Sequence, residues 1–110
     1  MIHWLPLESE EQLQEALQLS SESPILIFKH STRCFISKMA LRNFEQSFVQ
    51  KDTKCYLLDL LTYRSISNQI SLKLKVAHQS PQLFIVSDRK VLHTSTHENI
   101  NGTLATEILS

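Results

Sequence analysis

A cysteine followed three positions later by a serine carries the clearest chemical signal in this sequence. The stretch KHSTRCFISKMA, residues 29–40, contains Cys34 and Ser37. A cysteine thiolate is a nucleophile that exchanges with disulfides. A second thiol in place of Ser37 would resolve a mixed disulfide within the chain, but a hydroxyl cannot attack a disulfide. The pair therefore predicts a one-thiol exchange site, in which a mixed disulfide on Cys34 waits for an external thiol.

The residues on either side of Cys34 predict that it lies where a strand passes into a helix. Ile25–Phe28 is a continuous apolar run, typical of a strand buried on both faces. A helix is expected from about Cys34 to Gln50, because apolar residues recur at helical spacing. This stripe consists of Ile36, Ala40, Phe44 and Phe48, widened by Leu41 and Val49. The N–H groups and the dipole at a helix N-terminus favour an anion, so the Cys34 thiol should ionise more easily than a free thiol.

Polar neighbours suggest that Cys34 is at least partly exposed and is assisted by nearby side chains. Thr32, Arg33 and Ser37 surround it in sequence. Ser37 lies on the same helix face as Cys34, where its hydroxyl can donate a hydrogen bond to a thiolate. Three basic side chains close in sequence could add positive potential: His30, Arg33 and Lys38. We therefore interpret Cys34 as the nucleophile, with Thr32, Arg33 and Ser37 as supporting residues.

Ser80 and Pro81 lie just before another apolar run, Leu83–Val86, which is expected to be a strand. A proline is tolerated at the start of any strand. A cis proline that faces a cysteine at a helix N-terminus would leave the backbone of the preceding residue free to pair with an extended substrate. Phe35, Ser80 and Pro81 are therefore the candidate substrate-binding residues.

The remaining pattern predicts a single α/β domain spanning residues 1–110. Ser9 and Gln12 form a capping box for a first helix ending near Leu19. Further elements are a second strand Cys55–Leu60, a helix from about Tyr63 to Val76, and a strand pair Leu83–Val86 and Val91–Thr94. A last helix carries Ile100, Leu104 and Ile108, and Gly102 is expected to weaken it. Trp4, Leu5 and Leu7 form either a short strand or a packed segment. This order predicts a mixed central sheet of about four strands, parallel in its centre and antiparallel at one edge, with helices on both faces.

Composition excludes several classes of function. Lys+Arg and Asp+Glu are both 11, so no basic excess favours nucleic acid. The N-terminus does not resemble a signal peptide, and the apolar runs are too short for a membrane span. Two cysteines do not make a disulfide framework, so we expect a reducing, cytoplasmic location. Cys55, in its apolar strand, is interpreted as a buried hydrophobic residue, and the scattered histidines predict no metal site.

With these motifs in place, the chain resembles the thioredoxin-like superfamily, and more narrowly the monothiol bacilliredoxin family. The resemblance spans most of the chain, from Trp4 to the last helix. It is carried by the stretch from Ile27 to Cys34, by Ile36-Ser37, by the stretch from His78 to Gln82, and by His97 with Ile100. The resemblance implies a thioredoxin-like fold, with Cys34 as nucleophile, Ser37 in place of a resolving cysteine and Pro81 as the cis proline. Phe35 departs from the family pattern, in which proline is expected after the cysteine.

The resemblance also implies a function. Family members are thought to remove bacillithiol from proteins that carry it as a mixed disulfide, so the expected partners are thiolated client proteins and bacillithiol or a similar small thiol. No metal or organic cofactor is expected, since the small thiol is a co-substrate. Bacillithiol is anionic through its carboxylates, which Arg33 or Lys38 could bind. Two alternatives remain open: a binding or stress-response module without turnover, and an iron–sulfur carrier of the monothiol glutaredoxin type.

Overall fold

A five-stranded mixed sheet forms the centre of the molecule, and its parallel part carries the cysteine loop. The computed structural model describes residues 2–110. The strands are β1 (Trp4–Pro6), β2 (Ile25–His30), β3 (Lys54–Asp59), β4 (Gln82–Ser87) and β5 (Lys90–Thr96), in the order β1-β3-β2-β4-β5. Strands β1, β3 and β2 are parallel, and β4 and β5 form an antiparallel hairpin beside β2. The predicted α/β class with a mixed sheet is confirmed, and the segment around Trp4 is a fifth strand.

Four α-helices cover the two faces of the sheet. They are α1 (Glu10–Leu19), α2 (Phe35–Ser47), α3 (Arg64–Leu74) and α4 (Gly102–Ile108). Helices α1 and α3 cover one face, where their apolar residues join a buried cluster with Ile25, Ile27 and Leu58. Helices α2 and α4 cover the other face, around Phe28 and Phe44. Within residues 2–110, no helix combines the length and apolar character that a bilayer crossing requires.

The predicted capping box of α1 forms with one difference. The Ser9 hydroxyl accepts a hydrogen bond from the Gln12 backbone N–H at 3.1 Å, as expected of an N-cap serine. The Gln12 side chain reaches back one residue further than predicted, because its Oε1 accepts from the backbone N–H of Glu8 at 2.6 Å. The cap therefore fixes the residues that connect β1 to α1.

Helix α2 is shorter than its apolar stripe predicted. It runs from Phe35 to Ser47, and Phe44 and Phe48 are buried as expected. Ile36 and Val49 are instead 57% and 58% exposed. Ile36 lies in the first turn, at an open groove, and Val49 follows the end of the helix. Helical spacing correctly predicted which face of α2 packs on the sheet. It did not predict that the residues at the two ends of this face, Ile36 and Val49, are left uncovered.

Gly102 begins the last helix rather than weakening it. The Asn101 side chain caps α4 by accepting the Leu104 backbone N–H at 3.0 Å, and Ile100 lies before the helix. A Cβ atom at Gly102 would lie 2.5 Å from the backbone nitrogen of Phe48 and would overlap the Ser47 hydroxyl. Glycine at this position therefore allows α4 to approach the end of α2 closely.

Candidate functional site

Cys34 is the N-cap residue of α2, at the predicted junction between strand and helix. Its backbone is extended, with φ −102° and ψ 122°, and its side chain makes no capping hydrogen bond. The Cys34 N–H donates to the Ser31 carbonyl at 3.1 Å, and its own carbonyl accepts from the Lys38 N–H at 3.0 Å. The thiol is half-buried, at the end of the helix where unpaired N–H groups favour negative charge.

The second cysteine, unlike Cys34, lies in the apolar interior. Cys55 lies in β3 and is 0% exposed. Burial raises the pKa of its thiol to about 12, because a thiolate would lose its hydration there. The interpretation of Cys55 as a buried hydrophobic residue is confirmed, and only Cys34 of the two cysteines is accessible.

Ser37 is fully buried and its hydroxyl turns towards the end of β2. Its Oγ accepts a hydrogen bond from the Ser31 backbone N–H at 2.9 Å and lies 2.7 Å from the Nδ1 of His30. Among the described residues, no hydrogen bond joins Ser37 to Cys34. The Ser37 side chain thus ties the first turn of α2 to the end of the strand before it.

His30, which its sequence position suggested as a source of positive potential near Cys34, lies inside the protein. It is 8% exposed, at the last position of β2, and its ring contacts Phe28 edge to face. Burial lowers its pKa, and the nearby carboxylate of Asp59 opposes this in part. His30 is therefore largely neutral at pH 7 and does not supply the positive potential that its sequence position suggested.

The loop before Cys34 and the residue after it are open to solvent. Thr32 and Arg33 are exposed, and Phe35, the first residue of α2, is 74% exposed. Phe35 lines a groove of about 280 Å³ together with Met39 and His97. An exposed aromatic ring next to Cys34 offers apolar contact area to a docking chain.

Ser80 and Pro81 lie at the same end of the sheet as the cysteine loop. The peptide bond between them is cis, and Pro81 is buried immediately before β4. Strand β4 pairs with β2 so that Gln82 lies opposite Lys29. The Pro81 carbonyl accepts from the His97 N–H at 3.2 Å, whereas the buried Ser80 Oγ has no hydrogen-bond partner among the described residues.

A buried lysine next to this site was not singled out from the sequence. Lys29 is 0% exposed, and its Nζ donates to the Ser67 carbonyl at 3.0 Å and to the Ser71 hydroxyl at 3.2 Å. The Nδ1 of His78, in the loop leading to Pro81, lies 3.3 Å from the same ammonium. Burial lowers the pKa of Lys29 to about 8. Its position in an apolar strand, directly before His30, was the only available signal.

The site as a whole can perform thiol exchange. One accessible sulfur lies at a helix N-terminus, beside an exposed aromatic ring and at the same end of the sheet as Pro81, which directly precedes β4. Within residues 2–110, no group of three or more His, Cys, Asp or Glu side chains is arranged to hold a metal ion.

Comparison with known proteins agrees with this arrangement. The profile of the monothiol bacilliredoxin BrxC family matches residues 5–104. A solved protein provisionally assigned as an oxidoreductase with a thioredoxin fold is 27% identical, with a TM-score of 0.81 over 96% of this chain and 93% of its own. Thioredoxin from Trypanosoma brucei brucei is 17% identical, with a TM-score of 0.73 over 97% of this chain and 88% of its own.

A thioredoxin from Fasciola hepatica is 13% identical, with a TM-score of 0.69 over 94% of this chain and 94% of its own. At such low identity, the two thioredoxins establish only the shared fold. The chain thus has the predicted thioredoxin-like fold. The family match and the fold together support a thiol oxidoreductase-like role. With its profile matched over residues 5–104, this chain belongs to the monothiol bacilliredoxin family.

Proposed function

We propose that the protein removes bacillithiol, or a similar small thiol, from client proteins that carry it as a mixed disulfide. The observation that supports this most directly is the pairing of one accessible thiol, at the N-cap of α2, with a serine at the position of a resolving thiol. Family membership supports the same proposal, because the family is named for the small-thiol system.

The reaction consists of two disulfide exchanges. First, the Cys34 thiolate attacks the sulfur of the small thiol in the mixed disulfide. A bond forms between these two sulfurs, and the client cysteine leaves as a thiolate that takes a proton from solvent. Second, another small thiol attacks the adduct, which frees Cys34 and gives the symmetric disulfide of the small thiol. The second thiol is the reductant, and no metal or organic cofactor takes part.

Different parts of the site bind the two halves of the substrate. The ring of Phe35 and the groove beside it provide apolar contact for the client chain. The backbone of Ser80, directly before Pro81, pairs with an extended segment of the client. Arg33, which is exposed in the cysteine loop, binds the carboxylates of the small thiol, assisted by Lys38.

Mass spectrometry of the protein after incubation with a bacillithiolated client tests the proposal. We expect one bacillithiol adduct per chain, located on Cys34 by peptide mapping. Cys55 serves as the internal control, because its pKa of about 12 leaves it protonated at neutral pH. A Cys34→Ala variant should form no adduct and should slow release from the client by at least about 100-fold.

Two results would contradict the proposal. One is release of the small thiol by the Cys34→Ala variant at the rate of the parent protein. The other is an adduct that maps to Cys55 in the folded protein. A coloured protein after anaerobic reconstitution with iron and sulfide would favour cluster carriage instead.

A further inference from the structure

A second cavity lies beside the cysteine loop, at the carboxyl ends of β1, β3 and β2. It measures about 230 Å³ and is lined mainly by apolar groups. The lining residues used below are Trp4, Glu8, His30, Thr32, Asp59 and Tyr63. The carboxyl ends of parallel strands are where open α/β sheets bind ligands. This position makes the cavity a candidate subsite rather than an accidental gap between side chains.

Two carboxylates give this cavity a negative field. Asp59 accepts hydrogen bonds from the Leu61 N–H at 3.2 Å and from the Thr62 hydroxyl at 2.8 Å, which fix its position. A carboxylate offers about four acceptor sites, so Asp59 retains capacity for a ligand. The nearby Glu8 carboxylate as a hydrogen-bond acceptor, loss of hydration, and the charges of Glu8 and Asp59 all raise the pKa of Tyr63. The cavity is therefore suited to a cation.

A polar atom on the cavity wall also lacks a protein partner. His30 is 8% exposed and lines the cavity, and its Nδ1 is occupied by Ser37. Within residues 2–110, its other ring nitrogen, Nε2, makes no hydrogen bond. Nε2 is not fully enclosed by protein, so water or a ligand can reach it and supply the missing hydrogen-bond partner. This observation is independent of the two carboxylates and points to an occupant with polar groups.

The cavity lies within reach of a small group attached to Cys34. Thr32, on its wall, is two residues from Cys34, so their Cα atoms are at most about 7 Å apart. Its volume of 230 Å³ is below the roughly 300–1,000 Å³ of sites for drug-sized ligands. A group the size of a cysteinyl unit therefore suits it better than a folded client surface.

We propose that this cavity binds the ammonium group of a small aminothiol whose sulfur is bonded to Cys34. The inference rests on the proposed function and adds a specificity to it. Glu8 and Asp59 neutralise the ammonium, and the rings of Trp4 and Tyr63 enclose the carbons between nitrogen and sulfur. Cysteine-based thiols with a free amino group are therefore preferred over thiols whose amino group is acylated.

Exchange rates with two disulfides of equal length test this subsite. Cystamine carries an ammonium two carbons from each sulfur, and bis(2-hydroxyethyl) disulfide carries a hydroxyl there. Each rate with the reduced protein is divided by the rate with a reference thiol in solution, to remove intrinsic reactivity. We expect the normalised preference for cystamine to be about threefold to fivefold, and to decrease at high salt.

Charge-neutral variants assign the preference to the cavity. Asp59→Asn and Glu8→Gln, which keep the shape and an acceptor oxygen, should each reduce the preference about twofold or more. The matched control is Glu98→Gln, because Glu98 lines the groove on the other side of the cysteine. This variant should leave the preference unchanged.

The possible failures of the two proposals are distinguishable. If Cys34 reacts with both disulfides but both cavity variants keep the preference for cystamine, the subsite is wrong and the exchange function stands. If Glu98→Gln loses the preference for cystamine and Asp59→Asn keeps it, the ammonium binds in the groove beside Phe35. That result also overturns the inference. If neither disulfide modifies Cys34 faster than it modifies the reference thiol, the exchange function itself fails.

Discussion

At the residue scale, the hydrogen bonds of the Ser37 hydroxyl control whether it can interact with Cys34. Its Oγ accepts the Ser31 N–H at 2.9 Å and shares a proton with the Nδ1 of His30 at 2.7 Å. If Ser37 carries the shared hydrogen and donates it to Nδ1, the hydroxyl has no hydrogen left for a thiolate on Cys34. If it lies on Nδ1, the hydroxyl hydrogen is free to turn towards Cys34. The tautomer of His30 therefore decides whether Ser37 can stabilise the thiolate.

Restoring a thiol at this position should change how the adduct is resolved. Residues three apart in a helix are close enough for a disulfide. We expect Ser37→Cys to release the small thiol from a preformed Cys34 adduct at least about tenfold faster than the parent, with no external thiol present. Time-resolved mass spectrometry of the adduct measures this release.

Ser47→Cys is the matched control for this prediction. It introduces a thiol into the same helix, ten residues further along, about 15 Å from the first site. That thiol is too far from Cys34 to attack the adduct in the same molecule. Equal release from both variants, or none from Ser37→Cys, would contradict the resolving role assigned to this position.

The sequence predicted the position of Cys34 at the start of a helix better than it predicted the contacts around it. The spacing of Cys34 and Ser37 indicated one-thiol exchange, and the polar neighbours indicated an accessible sulfur. The burial of His30 could not be predicted, because the apolar run was expected to end at Phe28, whereas β2 continues to His30. Strand alternation then turns His30 towards α2, on the same face as Phe28.

At the scale of elements, Lys29 joins parts of the molecule that are distant in sequence. It lies in β2, and its ammonium binds two serines of α3 and approaches His78 in the loop before Pro81. Its side chain also lies over the ring of Phe84 in β4, at 5.6 Å from the ring centre. One cation thus connects the centre of the sheet, a helix and the loop that carries Ser80.

The buried ammonium predicts a pH dependence of stability. The folded-state pKa of Lys29 is about 8, below its ordinary value of 10.5. Between these values the unfolded chain holds a proton that the folded chain has lost, so the free energy of unfolding rises with pH. Relative to Lys29→Met, the parent should gain about 1–2 kcal/mol between about pH 8 and pH 9.5.

Urea unfolding of both proteins at several pH values measures this gain. The difference between the two proteins is the quantity to use, because the titrations of Cys55 and the tyrosines then largely cancel. Parallel curves for parent and variant across this range would show that Lys29 keeps its proton in the folded protein.

Periodicity predicted which faces of the helices are buried, but not the close contacts between elements. The stripe on α2 identified Phe44 and Phe48 correctly, whereas Ile36 and Val49 are exposed. From its low helix propensity, Gly102 was expected only to weaken the last helix. Its close approach to the end of α2 depends on how α4 packs there, which no local pattern encodes.

At the scale of the whole molecule, the sheet topology brings the accessible sulfur of Cys34 and two cavities to one end. Phe35 lines the groove of about 280 Å³, and Thr32 lines the cavity of about 230 Å³. Because these residues lie on either side of Cys34 in the chain, the two cavities flank it. The alternation of strands and helices predicted the mixed sheet and the position of Cys34. It could not predict the cavities, because their walls come from several separate segments.

The burial of Cys55 also determines what the protein becomes under oxidation. Disulfide-linked polymers need at least two accessible thiols on each chain. This chain has one, since its other sulfur, on Cys55, is 0% exposed. Treatment with diamide should therefore give monomers and dimers on a non-reducing gel, whereas larger species would mean that Cys55 reaches solvent. The chain is therefore monofunctional in disulfide formation, so a disulfide-linked assembly cannot grow beyond it.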